Sequence, residues 1–478
     1  MKAPVSNGEL SVEADLSWHF AHMAAGVDFS QVTPDAVTAA KQTVLDTLGV
    51  CLAASGLEPA VGSLIDTVRE VGGTPQASIL GFAESAPALM AAFANGALAH
   101  ALDFDDLTPW GQHAGSSVMP AVWAMSQRQG GVHGRDFLAA VAAGQDIFAR
   151  MRRHVVWSKN WNLGSVFGVY AGAAAAARVA GMSSEQIQSA MGIATQQSSG
   201  LMEIITGPGG DFRGCYAAFS AKGALLAAIL AQRGLTCVER PFEGTFGVFA
   251  NYFAGGYERT GMLAGLGTDF QGSTTLYKRW PSVGTSHSHV HAVLTLMEEH
   301  HVDPRDVEEI LVYVGDYHRL MCTPLDQRQA PQTLVDARFS LPFLVAAAAV
   351  NGGLSVHHFT IEGLNDPRVI AMARRVRPVE DSAYDWEVDL PPGRVELRLS
   401  DGRALGRVGL EVPGSPEAPM TWQMIEAKFR ECAAVAARPP SSQQVDSVIE
   451  MVHDLENLEN ATDVLAALSV DTQVLPAR

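Results

Sequence analysis

The run Asn95 to Pro120, NGALAHALDFDDLTPWGQHAGSSVMP, sets two histidines and three carboxylates within one short stretch that begins as an apolar helix. Imidazoles and carboxylates gathered this closely suit proton transfer, since each shifts the other toward a working pKa. His100 and Asp103 stand three residues apart, which on a continuing helix places both on one face. Asp105 and Asp106 follow where the apolar pattern breaks. Gln112, His113, Ala114 and Gly115 form a loop able to turn an imidazole toward a cleft before a new apolar run starts near Val118. The plainer reading is a capping histidine beside a solvated acidic patch, because structural ion pairs imitate functional ones.

Three further groups could do chemistry. Lys222 lies in the alanine-rich run AAFSAKGALLAAILAQ, where a lysine either snorkels to the surface or points into a site. Ser286-His287-Ser288-His289-Val290-His291 alternates histidines on a strand, or pairs His287 with His291 at i and i+4 on a helix, so metal binding is an alternative on spacing; no HExxH motif accompanies it. The loop Thr206 to Asp211, TGPGGD, lacks the Walker spacing and the following Lys-Ser/Thr, and reads as a glycine hinge near a cleft.

The elements that must hold these residues change character along the chain. At 478 residues the chain exceeds what one hydrophobic core supports, about 250 to 300 residues, so two domains are expected. From Thr33 to about Ala250 alanine- and leucine-rich helices follow one another: Thr33-Pro34 supplies an N-cap and a first-turn proline, and Ser183 to Gln186 a capping box. Helices that are small-residue-rich nearly all round, such as AGAAAAARV at Ala171 to Val179, pack closely and are buried. After Gly272 strands enter: EILVYVG from Glu309 to Gly315, and two alternating runs between Arg394 and Val412 around the Asp401-Gly402 turn, with a helix Ser340 to Val350 between them. Past the turn-rich Gly414 to Met420, Thr421 to Ala437 and Ser441 to Glu456 return to helical periodicity. The expected fold is mainly α with an inserted α+β domain: a large helical domain from residues 1–272 and 413–478, and a smaller α+β lid over 273–412.

A formal net charge of −18 leaves no basic surplus for nucleic acid or an anionic membrane, so an anionic ligand needs locally concentrated cations. Five scattered cysteines without a CxxC pair fit a reducing compartment. With no signal-like start and no apolar run of roughly 18 residues, a cytoplasmic protein is expected.

Several segments, in order, resemble the MmgE/PrpD family, which includes 2-methylcitrate dehydratase and cis-aconitate decarboxylase. They are Leu45 to Gly49, Asn95-Gly96 with His100 and Asp103 to Asp106, His113 to Pro120, Phe242 to Gly247, Tyr277 to Pro281 with His287, and Gly414 to Met420. The resemblance implies a helical domain built from both chain ends, an inserted lid, a homodimer, and a cofactor-free active site between the domains. It implies a lyase, dehydratase or decarboxylase, acting on a small carboxylate by proton transfer at carbon. An isomerase or epimerase, or a carboxylate-binding member without turnover, are the alternatives. His113 aligns with the family's candidate acid/base, with Asp103 its neighbour. A carboxylate there would raise the imidazole pKa and make His113 a proton donor at rest. Lys222, Lys278 and Arg213 are implied as anion clamps, with Lys278 facing the cleft and Arg279 solvent. His100 and His287 are implied at the site's margin, and the match sets His287 at a helix start and no metal in the cluster.

The sequence departs from that pattern at Asn162, where the family commonly has a histidine, and at Tyr216, where a histidine is also common. It departs again at Ala218, for a usual glycine, and at Phe343, for a frequent tyrosine. Losing two imidazoles and a phenol makes the site more apolar, so the resemblance implies a substrate with fewer polar groups than 2-methylcitrate or cis-aconitate.

Overall fold

The computed structural model describes residues 14–206 and 209–468, so Gly207 and Pro208 of the glycine-rich loop and the first thirteen residues lie outside the described residues. The architecture is mainly α with a small α+β part. Alanine and glycine spacing explains the helical core. The helix Leu163–Val179 is buried on nearly every side and runs through the middle of its neighbours. It can do so because its close faces carry no large side chains: a Cβ on Gly168 would fall 2.3 Å from Ser117 Oγ, and one on Gly172 would fall 2.9 Å from the Cβ of Ala224. The one polar pair at this crossing is satisfied internally, Ser117 Oγ to Ser220 Oγ at 2.7 Å.

Caps set the helix starts. Thr33 accepts the Ala36 N–H ahead of Pro34–Leu57, and Ser183 closes a capping box with Gln186. The helix Trp422–Ala434 comes back from far along the chain to pack on Pro34–Leu57, where a Cβ on Gly49 would lie 3.2 Å from the Phe429 ring. One apolar core therefore gathers side chains from Leu16 to Tyr277 and again from Met420 to Leu468.

A second core forms around a four-stranded sheet. The short hairpin β1 (Ala77–Ile79) and β2 (Glu84–Ala86) belongs to the first core; the sheet is made of β3 (Val307–Val314), β4 (Val376–Glu380), β5 (Arg394–Leu399) and β6 (Ala404–Val408), in the order β4-β3-β5-β6. β3 pairs parallel with β4 and antiparallel with β5, which turns into β6 through Asp401-Gly402, where Gly402 takes a φ of +84°. The helices His287–Glu299 and Leu341–Asn351 contribute apolar side chains to this core.

No single helix among the described residues is long and apolar enough to cross a membrane. The pair Pro34–Leu57 and Pro59–Val71 passes that test only taken together, across a 95° bend.

Candidate active site

The segment that opened the sequence reading is where the two cores meet. The helix Ala88–His100 ends at His100, one turn earlier than a continuing helix would, and the chain enters a loop in which Asp103 adopts a φ of +47°. His100 and Asp103 therefore do not share a helix face. The turn instead swings Asp105 onto His100, with Nδ1 3.1 and 3.0 Å from the two carboxylate oxygens. Asp106 faces the other way, its carboxylate accepting the Gly115 N–H at the start of Gly115–Arg128. A side chain at Gly115 would collide with that carboxylate at 2.7 Å, so glycine is what lets the helix start there.

His113 donates from Nδ1 to the Asp106 carbonyl at 2.5 Å, which leaves Nε2 as its basic nitrogen, 3.9 Å from Asp103 Oδ1. Lys278 enters from the stretch between Tyr277 of the first core and Trp280 of the second: its ammonium donates to the Asp103 carbonyl at 2.7 Å and also ion-pairs with the Asp103 carboxylate. A backbone bridge fixes this meeting, because Leu107 and Leu276 exchange N–H to carbonyl bonds of 2.9 and 2.8 Å between the two segments. His100 and His113 stand ring to ring at 4.8 Å, with Tyr216 4.4 Å from His100 on its other side.

These contacts set the charges. Burial works against a charged His100, but the Asp105 carboxylate against it prevails and its pKa rises above the ordinary histidine value. Burial likewise opposes a charged Asp105, yet His100 and His113 hold it well below the usual carboxylate range. Asp103 is also lowered; burial is outweighed by Lys278. His113 goes the other way, down to about 4, because burial dominates over Asp105 and the positive charges of Lys278 and His100 add to it. The expectation of a resting imidazolium at His113 is thus reversed: the Asp105 charge is committed to His100, and Asp103 to Lys278. His113 rests neutral beside a charged His100.

The other expected residues divide. Asn162 caps Leu163–Val179 by accepting the Gly164 N–H at 3.1 Å and interacts with the Tyr216 phenol. Its buried Nδ2 has no partner among the described residues. Arg213 is buried, donates from Nε to the Ile204 carbonyl at 3.1 Å, and lies over the Phe339 ring, with Asp336 3.9 Å away. Tyr317, which the sequence reading did not single out, is buried where it feels the Asp103 charge and Arg213, and burial raises its phenol. Nothing in its local sequence signals this, since it sits on the five-residue helix Asp316–Leu320 and reaches the site only through tertiary packing.

Lys222 lies apart from the cluster. Its ammonium packs over the rings of Phe93 and Phe219, at 5.3 and 5.5 Å, so it snorkels along an apolar face. Arg279 is half-buried and takes no part in the cluster's hydrogen bonds or ion pairs. The 287–291 histidines start a helix and diverge. His287 packs edge-on to Trp280 at 5.2 Å, His289 donates to the Tyr313 carbonyl at 2.8 Å, and His291 lies half-exposed on the outer side of Trp280. The side chains that do converge as possible cation ligands are His100, Asp103, Asp105 and His113, all within 4.8 Å of one another. Lys278 already supplies a positive charge inside that group.

Comparisons with known proteins agree with this picture. The MmgE/PrpD N-terminal domain matches residues 18–260 and the MmgE/PrpD C-terminal domain residues 280–455. Similar proteins include the cis-aconitate decarboxylase of Aspergillus terreus (strain NIH 2624 / FGSC A1156), 24% identical over 97% of both chains. The cis-aconitate decarboxylases of Homo sapiens and Mus musculus are 25% and 23% identical, covering 93% and 95% of this chain and 92% and 94% of their own. Two domain matches in sequence order, with relatives aligned nearly end to end, show that this chain belongs to the MmgE/PrpD family.

Proposed function

We propose that the protein is a cofactor-independent lyase acting on a small carboxylate by proton transfer at carbon. The observation that carries this reading is the unequal hydrogen bonding of the paired imidazoles, which favours opposite charge states. His113 is neutral, its Nδ1–H committed to the Asp106 carbonyl and its Nε2 lone pair available, while His100 beside it is held charged by Asp105. A base and an acid 4.8 Å apart serve an elimination, in which one takes a carbon-bound proton and the other supports the leaving group. Lys278 and Arg213 supply the positive field that a carboxylate and a developing enolate require.

The resting state of His113 favours proton removal first, as in loss of water. The relatives' names favour loss of carbon dioxide: there a bound carboxylate would raise the His113 pKa and turn it into the donor that protonates carbon. The two are separated by product. In deuterated buffer, a panel of mono-, di- and tricarboxylates followed by NMR is expected to yield a product labelled at carbon, with either water or carbon dioxide lost. His113→Gln is expected to lower kcat/KM by about 10²- to 10⁴-fold. Thermal stabilisation by an acid with neither label nor product would identify a binding protein instead.

The domain bounds 1–272, 273–412 and 413–478, a cytoplasmic location and a homodimer belong to the same reading. Exposed Phe219, edge-on to Phe93 and Phe212, supports a second copy as partner. Light scattering is expected to give twice the 50.8 kDa chain mass, and Phe219→Glu to reduce it.

A further inference from the structure

The Leu107–Leu276 bridge has a second role. Asp105 and Asp106 precede Leu107 and Lys278 follows Leu276, so the cluster hangs from the bridge, and Leu107 and Leu276 with Lys278 also line a cavity of about 630 Å³. That volume sits in the range of about 300–1,000 Å³ typical of drug-sized ligands and is generous for a six-carbon acid. Its walls are built. Leu390 donates to the Pro109 carbonyl at 3.2 Å. The Ser288 hydroxyl donates to the Gly409 carbonyl and accepts the Gly393 N–H, both at 2.6 Å, tying the proline-rich segments 389–393 and 409–417 together.

Lys278 and His287 line this cavity, and both interact electrostatically with Asp103 of the cluster. His287 is 7% exposed and bonded to the Ser282 backbone, while its Nε2 has no partner among the described residues. The lining beyond it is apolar, with Leu390 and Val412 joining the two bridge leucines. The carboxylates of Asp389, Glu411 and Glu417 are exposed at the rim beside an exposed Leu410.

We infer that the substrate is an amphiphilic carboxylate whose acid head binds at Lys278 and whose apolar body extends past His287 into this cavity, with no second anion at its far end. The inference rests on the carboxylate reading above and gives it a substrate class. The apolar lining rewards a hydrocarbon body, and the acidic rim repels a terminal carboxylate.

Calorimetric titration of the purified protein with straight-chain acids from butanoate to decanoate tests it. Affinity is expected to rise along the series by up to roughly fourfold per methylene while the cavity has room. A terminal carboxylate, as in suberate against octanoate, is expected to remove the gain. Val412→Trp, which narrows the cavity, is expected to cut the gain for the longer acids. Leu410→Asp at the rim, an independent variant on an exposed position, is expected to weaken the long acids alone. A flat series in the unaltered protein, or one that neither variant changes, overturns the inference and leaves the carboxylate reading standing. Failure of every straight-chain acid to bind, butanoate included, also overturns the inference, and the carboxylate reading falls only if the mono-, di- and tricarboxylate panel is silent too.

Discussion

At the scale of single residues, two side chains of the same type a few ångströms apart are given opposite states by what each touches. Asp105 is the group on which this depends, because its two oxygens accept from His100 while His113 spends its own N–H on a backbone carbonyl. The sign of the pH dependence follows. His113 must be neutral, so kcat/KM is expected to rise as pH increases through about 4. His100 must be charged, so activity is expected to fall as pH passes its raised pKa, above the ordinary 6.5. Asp105→Asn removes the larger of the two charges that raise His100 and leaves Asp103 alone to oppose burial. The upper limb of the pH–rate profile is then expected to move to lower pH, with the lower limb less affected. A merely structural role for Asp105 predicts lost activity with both limbs in place. The same residues show what a sequence can reveal about a site. The types and the segment were legible: two histidines and their carboxylates do cluster, and Lys278 joins them. Which carboxylate serves which histidine was not, because the helix stops at His100 without a glycine or proline to announce it. The resting state of His113 was illegible as well, being set first by burial, to which Lys278, more than a hundred residues away in the chain, adds its charge. Lys222 shows the converse, since its alanine-rich surroundings are equally compatible with a site and with the ring-covered surface it occupies.

At the scale of elements, local signals with a short-range mechanism carried through. The Thr33 cap, the Ser183 capping box and the Asp401-Gly402 turn stand where the sequence puts them, because each is decided by hydrogen bonds or dihedrals within a few residues. β4 was missed: VRPVE holds a proline and two charged residues, and it is a strand only because β3 offers a parallel edge. The three-residue strands β1 and β2 fall below any periodicity. Close helix packing is the element-level feature on which the site rests. Gly96, one turn before His100, lets Ala88–His100 approach Ala217–Gln232 so nearly that a Cβ would meet the Ala217 carbonyl and the Ala221 Cβ, both at 2.8 Å. Gly96→Ala is expected to cost about 1–3 kcal/mol through overpacking, lowering the urea midpoint. Gly62→Ala, on a helix where an added Cβ meets nothing within 4 Å, is expected to be neutral or mildly stabilising.

For the whole molecule, the burial that tunes the site has a thermodynamic cost shared by both cores. Burial lowers His113 and His289 to about 4, and His287 and His318 to about 3. Below the unfolded histidine value of about 6.5, the unfolded chain takes up protons that these folded histidines refuse, so stability falls as pH drops from there toward 4. Each such group contributes up to about 1.4 kcal/mol per pH unit. His100 acts in the opposite sense, its stabilisation being complete below about 6.5 and lost as pH rises through its folded pKa. His154, His291 and His358 are lowered as well, and these rings together outweigh His100 and the buried carboxyls of Asp15, Asp46, Asp106 and Asp146, which are raised and act with it. The urea unfolding midpoint is therefore expected to be lower at pH 5 than at pH 7, and an unchanged midpoint would show that these rings are protonated in the folded state.

Lys428, on the returning helix Trp422–Ala434, donates to the Phe104 carbonyl at 2.6 Å, lies 3.7 Å over the Phe104 ring and ion-pairs with Asp46 at 2.6 Å. Phe104 stands between Asp103 and Asp105, so the loop bearing both carboxylates is pinned by a residue made 324 positions later. At roughly 5–20 residues per second of synthesis, that interval lasts on the order of tens of seconds. Throughout it the emerging chain carries Asp46 and the Asp103–Asp106 loop without the lysine that holds them in the finished molecule. A partly made copy therefore cannot bury Asp46 against its cation or pin the Phe104 carbonyl until the helix Trp422–Ala434 has been made.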